Sequence, residues 1–184
     1  MRHTASLLPN GKVLVVSGLQ GTNTPTNYSG SANLFDPNPS NPTWASVTSP
    51  AGRDGHTATM LPNGKVIIAG GYVVQNSGGT GAFVNNVDAV ELYDPSKGAG
   101  APFNETTKIT FPRDAHTATL LPNGRVLFVG GRAQVTTASG NAVDVLVDKV
   151  ELFDVGLDAA LCEEAQPTYV LSTRGPLKLR AARS

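Results

Sequence analysis

The histidines are the residues of this chain whose type and spacing could form a metal site. His3, His56 and His116 are all the histidines of the 184-residue sequence. Neutral imidazole nitrogens bind zinc and copper, so a fold that brought the three together could hold either ion. Glu91 and Glu151 are a second candidate, since two carboxylates can act as general acid and general base.

The sequence offers no clear nucleophile or phosphate site. Cys162 has no histidine near it, and it lies in the acidic stretch LCEEA, whose negative charges disfavour the reactive thiolate. No glycine-rich loop leads from a strand into a helix, as phosphate binding requires. A lone cysteine cannot form an internal disulfide and leaves the redox compartment open. We therefore expect no catalytic residue and no cofactor.

The histidines recur because the sequence around them recurs. Each begins a segment of the form H-T-A-S/T-L/M-L-P-N-G-K/R-V, followed by an apolar run and a glycine. A second shared segment reads ANLFDP, VELYDP and VELFDV, and a third carries the aromatic residue Trp44, Phe103 or Tyr169. We define unit one as residues 1–52, unit two as 53–112 and unit three as 113–184, with an insertion near 156–168.

Each unit predicts an antiparallel sheet of four short strands, a to d. HTATLL and KVIIAG are apolar and β-branched, and the Asn-Gly between them is a strong hairpin signal because both residues tolerate positive φ. VELYD alternates between two sets of side chains and then ends at a proline. Strand a is expected near 3–8, 55–61 and 115–121, and no helix longer than two turns is expected within residues 1–155.

These features together resemble Kelch repeats. The resemblance is carried by Gly70-Gly71 with Tyr93 and Phe103, and by Gly130-Gly131 with Phe153, whereas unit one has Ser17-Gly18-Leu19 instead of a glycine pair. The repeated sequence is similar to that of bacterial Kelch proteins and of the central propeller of galactose-oxidase-like proteins. The resemblance implies an all-β propeller of four-stranded blades, with strand a lining the central channel. The copper-site residues of galactose oxidase have no counterpart outside the repeated positions.

The repeat favours structural roles for the candidate residues. The ligands of one metal ion converge on one place, whereas equivalent positions of successive units lie around an axis. We therefore expect no metal site, and expect each histidine to hold a backbone group of strand a or the arginine three residues earlier. We also expect Arg53 and Arg113 to form ion pairs with Glu91 and Glu151; Asn33 takes the glutamate position in unit one. Aromatic residues are expected in the core between units: Phe35, Trp44, Tyr93 and Phe153.

Three units are fewer than a propeller needs, because propellers have about 4–8 blades. The end of the chain, LRAARS, resembles the lead-in to another R-x-x-H. Three blades would leave an apolar sheet face bare at each end, and monomers rarely expose such patches. Two explanations stay open: neighbouring blades of a longer chain, or a head-to-tail dimer that closes a six-bladed ring.

Composition excludes some classes of partner. Lys plus Arg equals Asp plus Glu at 14 each, so we expect no nucleic-acid partner. No apolar run approaches the roughly 20 residues of a membrane-spanning helix. No signal peptide is recognisable in this chain. The compartment stays open, with an extracytoplasmic location favoured.

Function on a repeat scaffold tends to lie where the units differ. Here they differ in the b-to-c connections at 19–31, 72–89 and 132–149. We favour a binding or assembly module, without catalysis, that presents these loops to a protein or glycan. The alternatives are a non-catalytic propeller portion of a larger galactose-oxidase-like or other carbohydrate-active enzyme, and a self-contained enzyme. The candidate binding residues are Gln20, Asn23, Tyr28, Tyr72, Gln75, Asn76, Arg132 and Gln134.

Overall fold

The computed structural model describes residues 3–17, 32–48, 52–76, 82–98, 100, 102–106, 108–136 and 142–154. These residues form fifteen β-strands and one turn of 3-10 helix, Pro95–Lys97, and they contain no other helix. Every strand pairing among them is antiparallel. The all-β fold class predicted from the sequence is therefore confirmed.

Units one and two each form a four-stranded sheet. In unit one the order is β1-β2-β3-β4, with β1 Thr4–Leu7, β2 Val13–Val16, β3 Ala32–Asp36 and β4 Thr43–Val47. In unit two the order is β5-β6-β9-β10, with β5 Thr57–Met60, β6 Val66–Ala69, β9 Val90–Tyr93 and β10 Phe103–Glu105. The first strand of each sheet lies within the span predicted for strand a.

The described part of unit three forms a three-stranded sheet. Its order is β11-β12-β15, with β11 Thr117–Leu120, β12 Val126–Val129 and β15 Val150–Phe153. The strand predicted around Tyr169, the insertion near 156–168 and Cys162 lie outside the described residues.

The turn between the first two strands differs from the type that Asn-Gly suggested. In unit one the Gly11 amide donates to the Leu8 carbonyl at 2.9 Å, and the Leu8 amide donates to the Lys12 carbonyl at 2.8 Å. Gly11 has a φ of +79°, but Asn10 is not among the residues with positive φ. The proline, the Asn and the final glycine match a type I turn followed by a glycine bulge. The same two bonds recur in units two and three.

Two of the variable connections contain β-hairpins where the sequence suggested irregular loops. In unit two, β7 (Tyr72–Asn76) pairs with β8 (Ala82–Asn86); in unit three, β13 (Arg132–Thr136) pairs with β14 (Ala142–Leu146). Each hairpin leaves its sheet at a glycine pair, because Gly70 and Gly71 adopt φ values of +63° and +96° that side chains rarely permit. The corresponding connection of unit one lies outside the described residues.

The core lies between successive sheets. One cluster joins units one and two: Leu8, Leu14, Val16, Ala32 and Val47 with Val66, Ile68 and Tyr93. A second joins units two and three: Leu61, Ile67, Ala69, Val90 and Ile109 with Val126, Phe128 and Phe153. The first strands also lie side by side, β1 against β5 and β5 against β11. Each sheet is therefore stabilised by burying its faces against its neighbours.

Trp44 departs from the expectation of a core position between units. It is 63% exposed and packs on Phe35, with ring centroids 4.8 Å apart. Its counterpart in unit two, Phe103, packs against the core shared with unit one. Trp44 is exposed because no sheet covers that face of unit one in the described structure.

Candidate functional site

Two buried arginines tie the lead-in of strand a to its own sheet. Arg53 is 3% exposed, forms an ion pair with Glu91, and donates to the Gly70 and Ala89 carbonyls at 3.3 and 3.4 Å. Unit three repeats this arrangement with the Arg113–Glu151 ion pair and donations to the Gly130 and Lys149 carbonyls at 3.1 and 2.8 Å. The arginine holds two neighbouring strands at the point where the first hairpin strand leaves the sheet.

This arrangement occupies the two glutamates considered as an acid–base pair. Glu91 and Glu151 each contact the arginine of their own unit. Glu151 also accepts hydrogen bonds from the Thr110 and Phe111 amides at 2.6 and 3.2 Å. Both carboxylates are therefore built into the repeat, as the ion-pair expectation had it.

The histidines of units two and three connect neighbouring units. The Nε2 atom of His56 lies 2.8 Å from the Thr4 hydroxyl oxygen, and that of His116 lies 3.0 Å from the Thr57 hydroxyl oxygen. This partner, the threonine hydroxyl of the preceding unit, was not among those expected from the sequence. His3, at the equivalent position of unit one, is exposed.

Burial keeps these two histidines neutral. It lowers the pKa of His56 from 6.5 to about 4, and the nearby positive charge of Arg53 adds to the shift. Burial, with the charge of Arg113, likewise lowers the pKa of His116 to about 4. Among the described residues, no group of three or more His, Cys, Asp or Glu side chains could hold a metal ion.

Tyr72 and Arg132 anchor the base of each hairpin. The Tyr72 amide donates to the Asp54 carbonyl at 2.8 Å, and its hydroxyl donates to the Asp54 carboxylate at 3.0 Å. Arg132 has the same backbone contact with Asp114 at 3.0 Å, and its Nε donates to the Asp114 carboxylate at 3.0 Å. Two residues predicted as binding groups are therefore half-buried and engaged within the chain.

Asn86 joins the two hairpins. Its Nδ2 donates to the Asp114 carboxylate at 2.9 Å, and its Oδ1 accepts from the Gln134 amide at 2.6 Å. Gln134 also reaches Asp144 at 3.3 Å through its own side chain. Neither Asn86 nor Asp144 was predicted from the sequence. The signal for this contact was Asp114, the aspartate that follows the repeated Arg113. The two hairpins form one supported surface.

The outer hairpin exposes aliphatic side chains. All five residues of β14 are exposed, and Leu146 is 88% exposed. Val135, Val143 and Val145 are 42, 39 and 38% exposed. In the described part of the chain β14 pairs only with β13, so its other edge is unpaired there. An unpaired edge strand can template pairing with another chain.

Several predicted binding residues cannot be placed. Gln20, Asn23 and Tyr28 lie outside the described residues. Gln75 and Asn76 belong to β7, but their side chains lie outside the described part. No helix within the described ranges is long and apolar enough to cross a membrane.

Comparisons with known proteins place the chain at the level of fold. No model of a known protein family matches the chain, and no curated protein matches it. Among solved structures, YjhT aligns with 78% of this chain at 19% identity and a TM-score of 0.52, over 42% of its own length. A fungal alcohol oxidase of the AA5 family, in complex with copper, aligns with 93% of this chain at 20% identity and a TM-score of 0.60, over 34% of its own length.

The chain therefore spans less than half the length of either structure. Sequence identities of about 20% support a similarity of fold and nothing further. At that level the resemblance drawn from the glycine pairs and aromatic residues is supported: the chain is similar to Kelch-type and galactose-oxidase-like β-propellers.

Proposed function

We propose that this chain is a non-catalytic β-propeller module whose paired hairpins bind a protein partner. The observation that carries the proposal is β14, an exposed strand with one unpaired edge in the described structure and with Val143, Val145 and Leu146 exposed along it. An extended segment of a partner can add to such an edge through its backbone, while alternate side chains supply specificity.

The support beneath β14 favours binding. Asn86 and Asp114 fix β13 against the preceding hairpin, and Arg132 and Gln134 reach across to Asp144 at 3.3 Å. A surface held in place before binding loses less conformational entropy when a partner arrives. A protein is favoured over a glycan because the exposed groups are aliphatic, and burying apolar area contributes roughly 25 cal/mol per Å².

A peptide-display selection tests this function. Binders of extended conformation would be selected against the chain, and their affinities measured for Val143→Asp and for the control Thr43→Asp, which alters an exposed strand residue of unit one. We expect Val143→Asp to weaken binding at least tenfold and Thr43→Asp to leave it unchanged. A glycan array run on the same protein examines the other ligand class. Glycan binding, with peptide affinity indifferent to Val143→Asp, would contradict the proposal.

A second candidate is the non-catalytic propeller portion of a larger galactose-oxidase-like enzyme. It is favoured by the alignment of 93% of this chain with the copper-bound fungal alcohol oxidase. The described residues do not fit copper, because they hold no group of three or more His, Cys, Asp or Glu side chains that could ligate it. In this candidate the copper ligands come from the part of the larger enzyme outside these 184 residues. Titration of the 184-residue chain with Cu(II) should give no one-to-one absorption band; such a band would show that this chain supplies the ligands itself.

A further inference from the structure

The two junctions between units share one pattern of contacts. In both, the strand-a threonine of one unit contacts the histidine of the next: Thr4 with His56, and Thr57 with His116. In both, apolar residues of the two sheets bury one another. We call the side of a unit that meets the following unit its front face, and the opposite side its back face.

The glycine pair brings the front face close to the next unit. A Cβ built on Gly70 would lie 2.6 Å from the Arg113 carbonyl oxygen and 2.8 Å from a carbon of the His116 ring. Real Cβ atoms essentially never approach so closely, so only glycine fits there. Gly130 is the equivalent residue of unit three, and a Cβ built on it meets nothing within 4 Å. No described residue beside unit three fills the space that His116 fills beside unit two.

Among the described residues, nothing covers the front face of unit three at these positions. It comprises Thr117, Val129, Gly130, Leu146 and Leu152. Val129 is 39% exposed, whereas its equivalents Val16 and Ala69 are 2 and 0% exposed. Leu146, 88% exposed, takes the place of Asn86, which ties unit two to unit three. An apolar side chain stands where the other junction has a polar contact.

In the part of the chain that the structure describes, nothing covers the back face of unit one either. It comprises Leu7, Val13, Val15, Phe35 and Trp44. Leu7 and Trp44 are 68 and 63% exposed, whereas their unit-two equivalents Met60 and Phe103 pack against the first core. Val13 and Val15 are half-buried, whereas their equivalents Val66 and Ile68 are 0% exposed.

We propose that the front face of unit three binds the back face of unit one in a second copy of this chain. His3 then takes the place of His56 and His116, and contacts Thr117 as they contact Thr4 and Thr57. Leu7 and Trp44 cover Val129 and Leu152. The interface is a third junction of the kind already present twice within the chain.

A second copy is the occupant that the chain itself supplies. The two uncovered faces are the two halves of one junction type, so they complement each other and neither complements itself. Such a head-to-tail contact closes when the rotation permits it. Two copies then form two identical junctions, and the second is effectively intramolecular once the first has formed. The interface takes up Leu146, so in the assembled protein a partner at β14 would contact Val143 and Val145.

Molar mass and tryptophan emission test the assembly together. Light scattering should give 38.0 kDa, twice the 19.0 kDa of one chain. Trp44 is the single tryptophan of the sequence, so its emission should shift to the red on dilution as its face is uncovered, with far-UV circular dichroism unchanged. Leu7→Glu and Leu152→Glu should each give a folded monomer. Val135→Glu, on the outer hairpin, is the matched control and should remain dimeric.

Three results would overturn the proposal. The first is a folded wild-type monomer at micromolar concentration, and the second is a dimer that both variants leave intact. The third is a wild-type emission spectrum that does not change with protein concentration. This dilution experiment tests the interface even if the two variants fail to fold. A series of larger species lost in the same variants would support the interface and overturn ring closure.

Discussion

At the scale of single residues, His56 and His116 show how a repeated side chain acquires a structural task. Each sits among buried groups with its Nε2 against a threonine hydroxyl of the preceding unit. A neutral imidazole suits that place, because protonation would put a second positive charge near Arg53 or Arg113. Because burial lowers the pKa of both histidines, the stability of the fold should depend on pH through them.

Acid should destabilise the fold through these two histidines. Their pKa values are about 4 in the folded chain against an ordinary 6.5, so between these pH values the unfolded chain binds protons that the folded chain does not. The free energy of unfolding therefore rises with pH across this window, and the contribution is complete above the unfolded pKa. At 1.36 kcal/mol per pKa unit, each histidine contributes up to about 3 kcal/mol.

Urea unfolding at a series of pH values measures this effect. His56→Gln with His116→Gln should flatten the dependence between pH 4 and 6.5, whereas the control Thr43→Ala, at an exposed position without a titratable group, should leave it in place. Hydrogen bonds from Ser96 and Lys65 lower the pKa of Asp94 to about 2, so that carboxyl adds its own loss only below its ordinary 3.8. An equally steep dependence in the double variant would show that other groups cause it.

At the scale of elements, the buried arginine is the feature that holds a sheet and its hairpin together. Arg53 contacts Glu91 and two carbonyls, at the ends of β6 and β9, close to the point where the chain turns into β7. An isolated buried charge is costly, so each member of the pair is needed because the other is present. Unit three repeats the arrangement with Arg113 and Glu151.

Removing one member of the buried pair should cost far more than removing both. Arg53→Met should destabilise the chain by about 3–5 kcal/mol, because Glu91 is left buried without its counter-charge. Arg53→Met with Glu91→Leu should recover a large part of that loss. Lys108→Met breaks the exposed pair with Asp88, whose side chains are 58 and 38% exposed, and serves as the control. Its cost should stay below about 1 kcal/mol.

Thermal and urea unfolding of the four proteins would complete this comparison. A double variant as unstable as Arg53→Met would contradict the prediction. The loss of stability would then come from the missing contacts of Arg53 with the two carbonyls and the carboxylate, and the uncompensated charge of Glu91 would not explain it.

At the scale of the whole molecule, the junctions between units supply much of the stability of the fold. The buried apolar clusters each draw residues from two consecutive sheets. Repeat proteins of this kind gain their stability from interfaces between neighbours, and a unit without a neighbour leaves an apolar face uncovered. Disturbing one junction should therefore affect the units on both sides of it.

Ile68→Ala tests this sharing of stability. Ile68 is 0% exposed and belongs to unit two, but it packs in the cluster shared with unit one. We expect a loss of about 2–5 kcal/mol. Because Trp44 reports on unit one, its fluorescence transition should move together with the far-UV circular dichroism. Thr43→Ala, at an exposed position, is the control. A Trp44 transition that stays at its wild-type midpoint would show that unit one unfolds independently.

The sequence alone predicted the all-β fold class and the first three strands of each repeated unit. Those features depend on local patterns: alternating apolar residues, Pro-Asn-Gly turns and glycine pairs each act within a few residues. The Arg53–Glu91 and Arg113–Glu151 pairs were also within reach, because opposite charges recurred at the same positions of units two and three.

Which groups meet across units depends on the packing of the sheets. The contact of His116 with Thr57, and of Asn86 with Asp114 and the Gln134 amide, joins residues far apart in sequence. The polar composition of the connections at 72–89 and 132–149 suggested irregular loops, but each contains a β-hairpin. Those hairpins form where Gly70-Gly71 and Gly130-Gly131 turn the chain out of the sheet, and where backbone bridges to Asp54 and Asp114 hold them. Long-range pairing leaves no local pattern, so the packed sheets alone determined it.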